Sequence, residues 1–120
     1  MQFVPFRNWQ LRIQDILNAV NSIQRCVAKM SFEEFEQNET VIKAVLYNFI
    51  VIGAAINIPL EIQLRYPQIP WRLMGDMRNV IAHEYFQVNL IILWNTVQNN
   101  LPPLIAQIQE LVEREIGQEK

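Results

Sequence analysis

The chain is short of the residues from which most metal, redox and phosphate sites are built. Its 120 residues include one cysteine, one histidine and three glycines. The single thiol, Cys26, excludes an intramolecular disulfide and fits a reducing compartment. It lies at an apolar helical position and reads as a core thiol rather than a nucleophile. The two aspartates, Asp15 and Asp76, stand far apart, and no Cys/His ligand spacing occurs. A metal-dependent hydrolase is therefore not expected, nor any cofactor. No Gly-rich phosphate loop is present, which argues against an NTPase. Ser22 and Ser31 are remote from the one histidine, so the sequence gives no support to a serine triad. None of Gly53, Gly75 and Gly117 belongs to a hairpin dipeptide between β-branched runs.

Charge is scarce as well. Only 18% of residues are charged while 51% are hydrophobic, against a usual charged share of roughly 25%. A domain this small has much surface to cover, so the shortage points to surface hidden in a homo-oligomer or by a permanent partner, with an unusually apolar monomer as the plain alternative. The net charge of −2 excludes a globally basic nucleic-acid binder but not a local site. Between Ile62 and His83, Arg65, Arg72 and Arg78 face Asp76 alone; one more residue on each side adds Glu61 and Glu84 and cancels the excess. Met1 to Phe6 shows no basic leader before an apolar run. The greasy stretch from Val41 to Ile58 contains Lys43, Asn48 and Asn57. It is expected to be a buried helix rather than a membrane span, in keeping with the cytoplasmic location that the single thiol suggests.

What the chain does have is helical periodicity. Ile13, Ile16, Val20, Ile23, Val27 and Met30 alternate steps of three and four, which predicts a first helix from about Asn8 to Lys29. Ser31 and Glu34 form a capping box that starts a short turn. Asn38 or Thr40 caps a second long helix to about Ile56, and Pro59 ends it and opens a short helix through Leu64. Tyr66 to Pro70 is a stiff connector. A third helix runs from Trp71 to His83 or Tyr85, Asn89 caps a fourth from Leu90 to Asn99, and Leu101 to Val112 gives a last amphipathic face. Pro102-Pro103 either kinks one helix or separates two. The expectation is one all-α domain over residues 1–120, an antiparallel helical bundle assembled as a symmetric homodimer.

The polar residues that break this apolar pattern sit at Arg78-Asn79-Val80-Ile81-Ala82-His83-Glu84-Tyr85. At about 100° per residue, Asn79 and His83 share a helix face, whereas Arg78 lies about 140° from His83 and reaches it only through its long side chain. Tyr85 points away unless the helix ends near His83, or it serves the site from the rim. The plain alternative is that His83 is a satisfied helix-end histidine, favoured by the dipole. Taken together, however, the residues suit phosphodiester chemistry: an imidazole to move a proton, a guanidinium to hold a phosphate oxygen, and Asn79 to orient either. Cleaving RNA is easiest with both an acid and a base, and a symmetric dimer supplies two histidines where one chain has one.

Arg78-Asn79-x-x-x-His83-x-Tyr85 resembles the signature of HEPN-family toxins of the HepT type, and the similarity extends over most of the chain. Arg65-Tyr66-Pro67-Gln68-Ile69-Pro70-Trp71 is similar to the family's R-Y-P-x-I-P-W stretch. Asp15 to Ala19, Asn48 to Gly53, Leu93-Trp94 and Leu101-Pro102 also fall where that family places them. The resemblance implies an all-α dimeric ribonuclease, the toxin of a type VII-like two-gene module. It implies Arg78 and His83 as catalytic residues with Asn79 in support, and a metal-independent attack of the RNA 2′-hydroxyl on its neighbouring phosphate. It further implies an antitoxin partner, a minimal nucleotidyltransferase of the MntA type, that transfers AMP to Tyr85. Three positions depart from the family pattern: Ala54 replaces a usual glutamate, Gln87 a glycine and Tyr47 a frequent arginine. A non-catalytic module that docks the nucleotidyltransferase and presents nucleotide to it is the alternative, and a purely structural helical dimeriser is the plainest one.

Overall fold

The computed structural model describes residues 8–117, and the reading of Met1 to Phe6 lies outside them. Among the described residues the chain forms seven α-helices and two 3-10 turns and no strand, an all-α bundle. Helix α1 spans Trp9–Val27. Asn8 caps it by accepting from Leu11 N–H at 2.9 Å. The heptad-like seam is buried as expected, with Ile13, Ile16, Val20, Ile23 and Val27 inside and Met30 half-buried. The helix stops at Val27 rather than at Lys29. Ala28 turns extended and Lys29 takes a left-handed φ of 66°, a conformation uncommon outside glycine that redirects the chain.

The capping box then forms as the sequence predicts. Ser31 N–H donates to Glu34 at 2.8 Å and Glu34 N–H to Ser31 at 3.1 Å. It opens α2, Phe32–Glu36, whose buried Phe35 lies 5.1 Å from the Trp94 ring. Asn38, not Thr40, caps α3, Glu39–Ile52, through a 3.0 Å bond from Val41 N–H. The α-helix ends four residues before Ile56, and Gly53–Asn57 tightens into a 3-10 turn. Pro59 explains the change: Ile58 is forced extended (ψ 136°), so the turn before it closes on itself with Ile58 N–H donating to Ala55 O at 3.2 Å. The stretch Glu39–Asn57 is long and apolar enough to cross a membrane. Here its Val45, Leu46, Phe49 and Ile52 are buried in the bundle core, and α1 and α5 pack against α3.

Helix α4, Leu60–Arg65, follows Pro59, and α5, Trp71–His83, follows Pro70. The proline-rich connector between them is tied down at both ends. Trp71 Nε1–H donates to Tyr66 O at 3.0 Å. Glu115 accepts from Arg65 at 2.7 Å and from the Tyr66 hydroxyl at 2.9 Å. The R-Y-P-x-I-P-W stretch is thus a structural clamp on the end of α7. Helices α6, Leu90–Asn99, and α7, Leu101–Glu115, are separate. The proline pair does not kink one helix but starts the second, where its missing N–H groups would have no partner anyway. Helix α1 packs on α3 and α7, α3 on α5, and α6 on α7.

The clamp is acid-sensitive. The Arg65 hydrogen bond and charge hold the Glu115 carboxyl below its ordinary range, against the opposing pull of burial. A carboxyl lowered by folding adds stability above the usual carboxylate pKa, and that contribution is lost as pH falls through the folded value. Glu115→Gln is expected to lower Tm at pH 7, with the gap to wild type closing below about pH 4. Thermal melts followed by circular dichroism from pH 7 to pH 3 check this; a gap independent of pH would assign the loss to packing instead.

Candidate active site

Helix α5 decides how the predicted site residues are presented. Its buried residues Trp71, Met74, Gly75 and Ile81 mark the inward face, and at 100° per residue Arg78 falls within that same sector. It is half-buried there. Its Nε is shut off from solvent and, among the described residues, has no hydrogen-bond partner. Buried polar groups left unpaired are uncommon enough to require an explanation.

Gly53 explains how the side chain fits. A Cβ at position 53 would stand 2.1 Å from Arg78 Cβ and 2.5 Å from its Cγ. The bare backbone at the start of the 3-10 turn is therefore the slot through which the arginine stem passes. Gly75 makes the reciprocal notch, where a Cβ would meet Ile56 Cγ2 at 2.1 Å. These two glycines, which chemistry-seeking reading of the sequence passes over, bring α5 and the 53–57 turn together. The available signal was an isolated glycine within each helical pattern, which usually has a packing reason.

Asn79 and His83 lie one turn apart on the opposite, solvent-facing side, and both are exposed. Among the described residues neither side chain makes a hydrogen bond, so no structural partner occupies the imidazole. The structure thus puts Asn79 and His83 on one exposed strip and Arg78 on the buried side of α5, its stem over Gly53. Arg78 and His83 are separated by about 7.5 Å along the helix axis, five residues at 1.5 Å each.

The helix ends at His83. Glu84 leaves helical geometry (φ −120°, ψ 30°), and Tyr85–Gln87 forms a 3-10 turn. That break is the condition under which Tyr85 can stay near the site. Tyr85 is half-buried against the core and lies edge-to-face with Phe86 at 5.3 Å. Both rings wall a hollow shared with the N-terminal half of α3. Ala54 follows Gly53 in the 3-10 turn and is half-buried. Tyr47 is exposed on α3, in a separate shallow groove with Asp15 and Arg25. Among the described residues no three His, Cys, Asp or Glu side chains cluster as a metal site would.

Residues 16–111 match the HepT-like family, described as ribonuclease HepT-like. A Methanocaldococcus jannaschii protein, provisionally named an RNase, is 32% identical over 118 residues, covering 98% of each chain. A Thermococcus cleftensis protein, provisionally named ribonuclease HepT, is 34% identical over 82% of this chain and 91% of its own. A Caldanaerobacter subterraneus protein, again provisionally an RNase, is 31% identical over 86% of this chain and 93% of its own. No solved structure matches the chain.

Proposed function

Because the chain belongs to the HepT-like ribonuclease family, we propose that it is a metal-independent ribonuclease whose site is built on Arg78, Asn79 and His83. The observation that carries the reading is a guanidinium held half-buried in a glycine slot with its Nε unpaired, next to a helix face that presents a free imidazole. A structural arginine would find a carboxylate there; this one has none among the described residues, and its terminal nitrogens, unlike Nε, are not sealed from solvent and can meet an anion. In the reaction, the RNA 2′-oxygen attacks the adjacent phosphorus and gives its proton to a histidine. The P–O5′ bond breaks as a histidine returns a proton to the leaving oxygen, leaving a 2′,3′-cyclic phosphate and a 5′-hydroxyl. Arg78 meets the negative charge that grows on the phosphate oxygens, and Asn79 orients the imidazole or the strand.

One imidazole cannot serve as acid and base at once, so we assign the second to another copy of the chain. Exposed Leu73 and Val80 of α5 and Ile92 of α6 form an apolar band, with a groove of about 250 Å³ lined by Val80 and Ile92. Val80 lies about 60° around the helix from His83, so a second copy seated on this band brings its own motif helix close. The role that follows is a cytoplasmic toxin of a two-gene module, held off by a nucleotidyltransferase of the MntA type that transfers AMP to Tyr85. The tyrosine hydroxyl would attack the α-phosphorus of ATP and release pyrophosphate. The added bulk and charge would then stand beside a phosphate-binding site.

Incubating purified wild type and His83→Ala with mixed cellular RNA in EDTA tests the reading, with cyclic-phosphate ends expected from wild type alone. A folded, unmodified wild type that leaves the RNA intact would move the assignment to a docking module that presents nucleotide to the transferase. Tyr85→Phe is expected to keep cleavage yet escape silencing by the cognate transferase and ATP, since a phenyl ring has no oxygen to receive AMP. Mass spectrometry reads this directly, and AMP attached at unchanged stoichiometry would place the target elsewhere.

A further inference from the structure

We propose that the hollow between α3 and residues 85–90 receives a nucleobase of the RNA strand, stacked on Phe86. The inference rests on the ribonuclease reading and names how that site holds its substrate. Phe86 is 94% exposed, the most open of the large apolar side chains among the described residues. The turn that carries it is hydrogen-bonded, and its ring has one aromatic neighbour. Gln87 N–H donates to Glu84 O at 2.8 Å and closes the turn that carries it, and the half-buried Tyr85 ring lies edge-to-face against it at 76°. An exposed aromatic three residues beyond His83 is a platform for a flat ring, and single strands of RNA are recognised by stacking on such side chains.

The hollow beneath has a volume of about 320 Å³, at the lower end of the range for small-molecule sites. Its floor is apolar, from Ile42, Leu46 and Val88, and Glu39 and Lys43 stand at its rim. That lining selects a heterocycle over a phosphate, which would lose hydration on the floor and face the Glu39 carboxylate. A base gains on both counts: its ring covers the floor, and an exocyclic amino group can donate to Glu39. Lys43 can reach the phosphate attached to the same nucleotide. Glu39 and Lys43 are 4.0 Å apart and largely exposed, so their mutual attraction is weak and either is free to turn to a ligand.

A cycle between ring and base tests the proposal. Steady-state cleavage of a short single-stranded RNA is measured for wild type, Phe86→Ala and Phe86→Tyr, with the intact strand and with an abasic site moved along it. Phe86→Ala is expected to raise KM about tenfold or more, as truncation of stacking aromatics does, with little change in kcat, and Phe86→Tyr to restore it. One abasic position should cost wild type the same factor and cost Phe86→Ala nothing further. Losses that multiply at every position, or a Phe86→Ala loss explained wholly by dissociation of the dimer in sedimentation, overturn the proposal.

Affinity for a 2′-O-methyl version of the strand, which has no nucleophile, is followed by fluorescence anisotropy and separates the two readings. Binding that depends on Phe86 without cleavage of the natural strand removes the ribonuclease and keeps the stack. Cleavage with KM unchanged in Phe86→Ala keeps the ribonuclease and removes the stack.

Discussion

Replacing His83 with alanine is expected to reduce RNA cleavage by about 10²- to 10⁴-fold, the range spanned by positioned general acid–base groups. In the proposed symmetric dimer the substitution would remove both imidazoles together, which would put the loss in the upper part of that range. The same change should leave folding almost untouched. His83 is exposed at the last position of α5 and, among the described residues, its side chain makes no hydrogen bond, and surface substitutions of this kind stay within about 0.5 kcal/mol. It is a cleaner probe than Arg78→Ala, which would also empty the slot over Gly53. Equal cleavage by wild type and His83→Ala would mean that a contaminating nuclease does the cutting. A fall in Tm matching the fall in activity would instead make His83 a helix-end residue with a structural role.

The second large effect is expected at Gly53, which has no chemistry of its own. Gly53→Ala places a methyl group 2.1 Å from Arg78 Cβ. That atom is fixed to the α5 backbone and cannot swing aside, so the helix and the 53–57 turn must part. Overpacking of this kind costs about 1–3 kcal/mol, and Arg78 would be displaced from the site in the same movement. Cleavage should therefore fall further than the loss of folded protein explains. Gly75→Ala is the matched control. Its methyl group also meets an atom at 2.1 Å, but that atom is Cγ2 of Ile56, a side chain that is 47% exposed and free to move outward. Alanine in a helix interior also gains about 1 kcal/mol over glycine, so Gly75→Ala should be nearly neutral. Thermal melts and cleavage rates of the two variants decide the matter. Equal behaviour would show that the close approach at Gly53 does not position the arginine.

The two glycines mark how far a linear reading reaches. The caps at Ser31 and Asn89, the choice of Asn38 or Thr40 before α3, the buried seam of α1 and the breaks at Pro59 and Pro70 were all legible. Each depends on residues within a turn or two of one another: a side-chain oxygen three positions before an N–H, a ring with no N–H, an apolar step of three or four. The family signature at Arg78, Asn79, His83 and Tyr85 was legible for the same reason, since it is a spacing on one segment. The place where α3 changes to a 3-10 turn was not, although Pro59 hinted at it, because helical pattern alone continues to Ile56.

What only the tertiary structure decided is what stands opposite each residue. Helical angles put Arg78 about 140° from His83. They could not say that a bare glycine of another element would give the arginine a slot on the buried side. Nor could they say that α5 would stop at His83 and turn Tyr85 toward α3, or that Phe86, apolar by composition, would stand almost wholly in solvent. Caps and periodicity are short-range, set by hydrogen bonds and rotation along one helix. Burial, close approach and the shape of a hollow depend on atoms brought from distant parts of the chain, and those distances exist only once the helices have packed.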